Sequence, residues 1–134
     1  MTIPPYLLPG DTVALAAPAR KISKTEILPA VTWLKSVGFN VFYDERLFAA
    51  EHQFAGEDAV RAAYFQDLLD NENIKAIWCV RGGYGSARII DRLDFSRFRQ
   101  HPKWICGYSD ITVFHSHIQR HYGIATLHAT MPIN

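Results

Sequence analysis

The sequence predicts an α/β fold, a doubly wound parallel sheet with helices on both faces. Three observations predict it. Short apolar runs alternate with longer stretches of helical periodicity along the whole chain. The links between them are short, which makes consecutive strands parallel and their crossovers right-handed. Segments built for close backbone approach follow the third and fourth apolar runs, at the strand ends where ligands of such sheets bind.

The elements follow in order. Asp11 to Ala17 is a short apolar run after the Pro9-Gly10 turn and reads as a first strand, which Pro18 ends. Ile27, Val31 and Leu34 recur at helical spacing, and Ser23 and Glu26 stand in capping-box register. Pro29 lacks a backbone donor, so the regular helix is expected to begin near Glu26, with Gly38 closing it. Phe39 to Tyr43 is a second strand, and Asp44 to Gly56 reads as a surface loop. Glu57 to Asp70 carries Val60, Tyr64 and Leu68 on one helical face, with Ala63 beside them. Ile74 to Val80 is a third strand, apolar enough to be buried on both faces. A Gly-rich turn and a short helix through Ile90 follow. Trp104 to Gly107 is a fourth strand. Ile111, Phe114 and Ile118 mark the next helix, which Gly123 ends, and Ile124 to Leu127 is a fifth strand. The result is a flavodoxin-like three-layer sandwich. Its active end gathers Arg81 to Gly85, Gly107 to Asp110 and residues 128 to 132.

Composition narrows the function. The 134 residues are 49% hydrophobic and 20% charged, an ordinary globular balance. Fourteen Lys and Arg against thirteen Asp and Glu give a net charge of +1, with no basic footprint for nucleic acid or a membrane surface. No apolar run approaches the ~20 residues of a membrane span. Met1 to Gly10 holds three prolines and no basic segment, unlike a signal peptide. Cys79 and Cys106 are too few for a disulfide scaffold, and each lies within an apolar strand. The expected compartment is the cytoplasm.

Two segments carry chemistry. In Gly107-Tyr108-Ser109-Asp110-Ile111, a serine sits where a buried strand turns into a helix. Its hydroxyl would project from the sheet end, with backbone donors behind it at a helix N-terminus, the logic of a nucleophile elbow. Ile111 stands where the second glycine of Gly-x-Ser-x-Gly would be, and a plain N-cap role for Ser109 or Asp110 fits the same spacing. In Arg81-Gly82-Gly83-Tyr84-Gly85, three glycines let the backbone pass close to a ligand and aim amides at an oxyanion. No Gly-Lys-Ser/Thr follows, so it is not a Walker loop, and a tight turn explains the composition equally well. Arg81 is a candidate for a carboxylate and Tyr84 for a pocket wall. His117 and His121 have the spacing of metal ligands but no third partner in sequence. His128 lies at the active end, and Trp33, Trp78 and Trp104 are expected in the core.

Taken in order, Ile77 to Arg88 (IWCVRGGYGSAR), Leu93-Asp94, Pro102-Lys103 and Gly107 to Thr112 (GYSDIT) resemble the LD-carboxypeptidase family. These are serine peptidases that trim the D-amino acid from peptidoglycan tetrapeptides, and microcin C immunity peptidases are relatives. Leu8 to Val13 and Ala16-Ala17-Pro18 are similar to that family's opening strand. The resemblance implies Ser109 as nucleophile and the backbone amides of Asp110 and Gly83 as oxyanion donors. Arg81, Gly82, Tyr84 and His128 are expected around the substrate, with no metal or organic cofactor. Ala129-Thr130 and Ala19 depart from the family's usual Gly-Pro and Ser.

The resemblance also implies that the general base, a His with a Glu partner, comes from a C-terminal domain. Residues 1–134 would then be the N-terminal nucleophile domain, inactive alone because a serine hydroxyl is a weak nucleophile without a base. The expected partners are a muropeptide, the missing domain and, in the full-length protein, a second copy. Apolar surface near the strand ends is expected to face that missing half. The rival classes are a non-catalytic module for a small ligand or nucleotide and an immunity peptidase for an aminoacyl-nucleotide antibiotic.

Overall fold

The computed structural model describes residues 1–133. Five parallel strands form one sheet in the order β2-β1-β3-β4-β5, the doubly wound arrangement that the alternation predicts. The strands are β1 (Thr12–Ala16), β2 (Asn40–Phe42), β3 (Ile74–Cys79), β4 (Trp104–Gly107) and β5 (Leu127–His128). The helices are α1 (Lys24–Ser36), α2 (Asp58–Asp70), α3 (Ser86–Ile89), α4 (Ser96–Gln100) and α5 (Thr112–Tyr122).

Helix α1 begins at Lys24, two residues before the expected start, and Pro29 lies inside it. The reciprocal bonds between Ser23 and Glu26 nucleate the first turn, at 3.0 and 3.2 Å. Pro29 deprives only the carbonyl four residues back, on the exposed Thr25. Burial of Ile27, Ala30, Val31 and Leu34 outweighs that loss. The buried stripe of α2 is Arg61, Ala62, Tyr64, Phe65, Leu68 and Leu69, and Ala63 is exposed. Phe65 stacks on Phe114 of α5 at 4.5 Å, and the Tyr64 hydroxyl donates to the Leu15 carbonyl at 2.8 Å. The segment expected as a surface loop holds a 3-10 turn, Glu45–Phe48, that buries Leu47.

Buried Lys103 donates to the carbonyls of Leu68 and Asn71, both at 2.7 Å, and so closes the end of α2. Burial lowers its pKa to about 8. Helix α4 has no counterpart in the sequence reading. Asp94 accepts from the Ser96 amide at 2.9 Å and starts it, and Phe98 anchors it. The fifth strand is also displaced, from 124–127 to Leu127–His128. Ile124 is taken up by a bridge to Thr2, whose amide donates to Gly123 at 2.7 Å and whose carbonyl accepts from Ala125 at 2.8 Å.

Helices α2 to α5 pack on one sheet face and α1 on the other, giving the three layers. The α1 face is only partly covered, and there the tryptophans depart from expectation. Trp33 is 55% exposed, and Trp78 and Trp104 are half-buried. The indoles of Trp78 and Trp104 donate to the Thr130 and Pro5 carbonyls, each at 3.0 Å. With Tyr6, Cys106 and Leu127 they line an apolar groove of about 460 Å³. Among the described residues no helix is long and apolar enough to cross a membrane.

Candidate active site

The carboxyl ends of β1, β3 and β4 meet beside the point where the strand order reverses, the place such sheets reserve for ligands. Backbone bonds lock the loops together. The Val80 amide donates to Ala16 at 2.8 Å, the Arg20 amide to Gly82 at 3.4 Å, and the Ile133 amide to Val80 at 2.8 Å. Between the loops lies a cleft of about 270 Å³, lined by Arg20, Arg81, Gly82, Gly83, Tyr108, Ser109, Met131 and Ile133.

Ser109 is exposed and has φ +59°, a value it shares among the described non-glycine residues only with His52 at +54°. A left-handed serine costs on the order of 1–2 kcal/mol, so the surrounding structure must hold it. The restraint comes from a 3-10 turn, Ser109–Ile111, between β4 and α5. Fully buried Ile111 presses against Gly107, where a Cβ would come within 2.9 Å of its side chain. The residue that breaks the Gly-x-Ser-x-Gly pattern is therefore the wedge that shapes the turn. The N-cap alternative fails on the same geometry. Neither the 3-10 turn nor α5 has a side-chain cap, and the Asp110 carboxylate instead accepts from the Ser86 amide at 2.9 Å, at the start of α3.

Gly82 faces the serine. A Cβ built there would lie 3.4 Å from Ser109 Cβ, 3.5 Å from Ser109 Oγ and 3.6 Å from the Asp110 amide. Those are ordinary contacts, so the absent side chain leaves open a space bounded by a hydroxyl and a backbone donor. Among the described residues, neither the Gly83 nor the Asp110 amide donates to another group of the chain. Gly85 meets a harder constraint, since a Cβ there would fall 2.8 Å from the Ala19 backbone.

Three residues that the sequence reading did not assign support this end of the sheet. Buried Arg61 donates to the carbonyls of Pro18, Gly85 and Gly56 at 2.7, 3.1 and 3.1 Å and pairs with Asp58. It joins the β1 loop to the Gly-rich turn. His115, also buried, places Nε2 2.9 Å from the Gly107 carbonyl. Burial pulls its pKa below the usual histidine value, more than the Gly107 contact raises it. Arg20 lays its aliphatic stem against Gly83 and lines the cleft. Only Arg20 had a visible signal, its place just past the first strand. Arg61 reads as one more charge on a helix.

The expected site residues do not all converge. Ser109, Gly82, Gly83 and Arg81 line the cleft, and Asp110 borders it. Arg81 is tied down, donating to the Lys21 carbonyl at 3.2 Å and lying 3.7 Å from the Glu26 carboxylate. Tyr84 is 61% exposed and packs toward Phe54, outside the cleft lining. His128 is exposed too, its ring 6.2 Å from Tyr108 and 6.0 Å from His115, and it does not line the cleft. His117 and His121 stand 4.6 Å apart, and no group of three metal-binding side chains forms among the described residues.

Comparison with known proteins settles the kinship. Residues 13–129 match the LD-carboxypeptidase N-terminal domain. The chain belongs to the LD-carboxypeptidase family. It is 36% identical over 128 residues to a probable murein peptide carboxypeptidase of Bacillus subtilis, covering 96% of this chain and 40% of the relative. It is 32% identical over 117 residues to the murein tetrapeptide carboxypeptidase of Pseudomonas aeruginosa, covering 87% and 38%. Among solved structures, an MccF-like protein from Bacillus anthracis superposes with a TM-score of 0.91 at 27% identity, covering 98% of this chain and 41% of that one. A muramoyltetrapeptide carboxypeptidase from Oxalobacter formigenes gives 0.80 at 29%, covering 92% and 41%. The chain thus spans about two fifths of the length of these LD-carboxypeptidase relatives.

Proposed function

We propose that this chain is the nucleophile-bearing domain of a serine LD-carboxypeptidase that removes a terminal D-amino acid from peptidoglycan tetrapeptides. The observation that carries the reading is the left-handed Ser109, presented at a strand–helix turn with Gly82 and the Asp110 amide packed beside its hydroxyl. Ser109 Oγ attacks the scissile carbonyl carbon and gives its proton to a base. The amides of Gly83 and Asp110 receive the oxyanion, where fixed donors stabilise charge that develops only in the transition state. Collapse breaks the C–N bond, the base returns the proton to the departing amine, and water then hydrolyses the serine ester.

The base is assigned to a second domain, a His with a Glu partner, as the family resemblance implies. His128 is a poor substitute because it stands outside the cleft lining. The 134-residue chain alone is accordingly expected to be inactive. The test is D-alanine release from an LD-tetrapeptide by the full-length protein. Ser109→Ala is expected to lower kcat by at least about 10³-fold. Undiminished release by that variant would overturn the reading. A second substrate class has one observation in its favour. A microcin C7 immunity protein, solved with aspartyl sulfamoyl adenosine, superposes with a TM-score of 0.86. Faster cleavage of an aminoacyl nucleotide than of the tetrapeptide would move the assignment to that class while keeping Ser109.

A further inference from the structure

We propose that Arg20 binds the free carboxylate of the substrate's terminal residue and so makes the site select chain ends. The inference rests on Ser109 being the nucleophile. A peptide advances about 3.5 Å per residue, so a carboxylate one residue past the scissile carbonyl must fall within the same cleft as Ser109. Two arginines line that cleft, and their side chains differ in what they already hold. Arg81 is committed to Glu26 and the Lys21 carbonyl. The Arg20 side chain has no hydrogen-bond or ionic partner among the described residues.

Arg20 is also well placed. Its amide is pinned to the Gly82 carbonyl at 3.4 Å, which fixes its loop to the turn that faces Ser109. Its stem, out to Cδ, runs along Gly83, and the residue lines the cleft beside the open amide there. Among the described residues no carboxylate lines the cleft to compete for it, and Asp110 is turned to the Ser86 amide. A planar guanidinium offers a carboxylate two parallel donors, a pairing that an uncharged terminal amide cannot reproduce.

The experiment compares two LD-peptides in the full-length protein, one ending in D-alanine and one in D-alaninamide. Arg20→Ala is expected to raise KM for the acid by about tenfold to a hundredfold, with a smaller change in kcat. The preference for acid over amide should collapse, Arg20→Lys should keep part of it, and Arg81→Ala should erode it less. Equal losses on both peptides, or none, would overturn the proposal. Failure of the underlying reading would look different, as full activity in Ser109→Ala.

Discussion

The cleft beside Ser109 and the groove beside Trp78 are built from opposite materials. The groove is larger, about 460 Å³ against 270 Å³, and its walls are aromatic and aliphatic. Its one lining cysteine, Cys106, is half-buried, and burial pushes the thiol pKa up to about 11, so it stays protonated at neutral pH. The smaller cleft has two arginines, two open backbone amides and a strained, exposed serine. Size alone would select the groove as the place for chemistry. Convergent donors and stored backbone strain are the grounds on which the cleft is proposed instead.

In the Gly-rich turn beside the cleft the glycines separate chemistry from folding. Of the glycine substitutions, Gly82→Ala is expected to have the largest effect on activity. Its Cβ makes only ordinary contacts, so thermal stability should change by less than about 1 kcal/mol. The same methyl group enters the space between Ser109 Oγ and the Asp110 amide, and kcat should fall about 10²- to 10³-fold. Steady-state kinetics beside thermal unfolding of the same sample checks both halves. Equal damage to stability would show that Gly82 serves the fold rather than the site.

Gly85→Ala reverses the balance. A Cβ within 2.8 Å of the Ala19 backbone and 3.3 Å of the Arg61 guanidinium forces the β1 loop away from the turn. A loss of about 2–3 kcal/mol in denaturant unfolding is expected, with activity falling as the loops separate. The smallest effect belongs to the groove. Trp33 is half-exposed and touches Trp78 edge-on at 5.9 Å. Trp33→Ala should cost about 1 kcal/mol or less and leave D-alanine release within twofold of wild type. A tenfold loss of activity would erase the distinction between the two hollows.

Most of the architecture was legible in the sequence because its signals are local. The apolar runs of β1, β3 and β4 and the capping box of α1 depend on neighbours in the chain. What sequence misplaced depends on distant partners. Ile124 reads as strand until Thr2 claims it, and Trp33 reads as core until the sheet face beside it is seen to be only partly covered. The site divides in the same way. Ser109 and the Gly-rich turn carry motifs. Arg61 and His115 act through carbonyls contributed by other segments, and no spacing rule announces a side chain that bonds to backbone 43 residues away.

The central claim is that Ser109 is a nucleophile held ready by its turn. The most direct measurement is intact-mass and peptide-level detection of a fluorophosphonate adduct on the full-length protein. One adduct per chain is expected, on the peptide containing Ser109 and absent from Ser109→Ala. An adduct on another residue, or none from a preparation that releases D-alanine, would contradict the account.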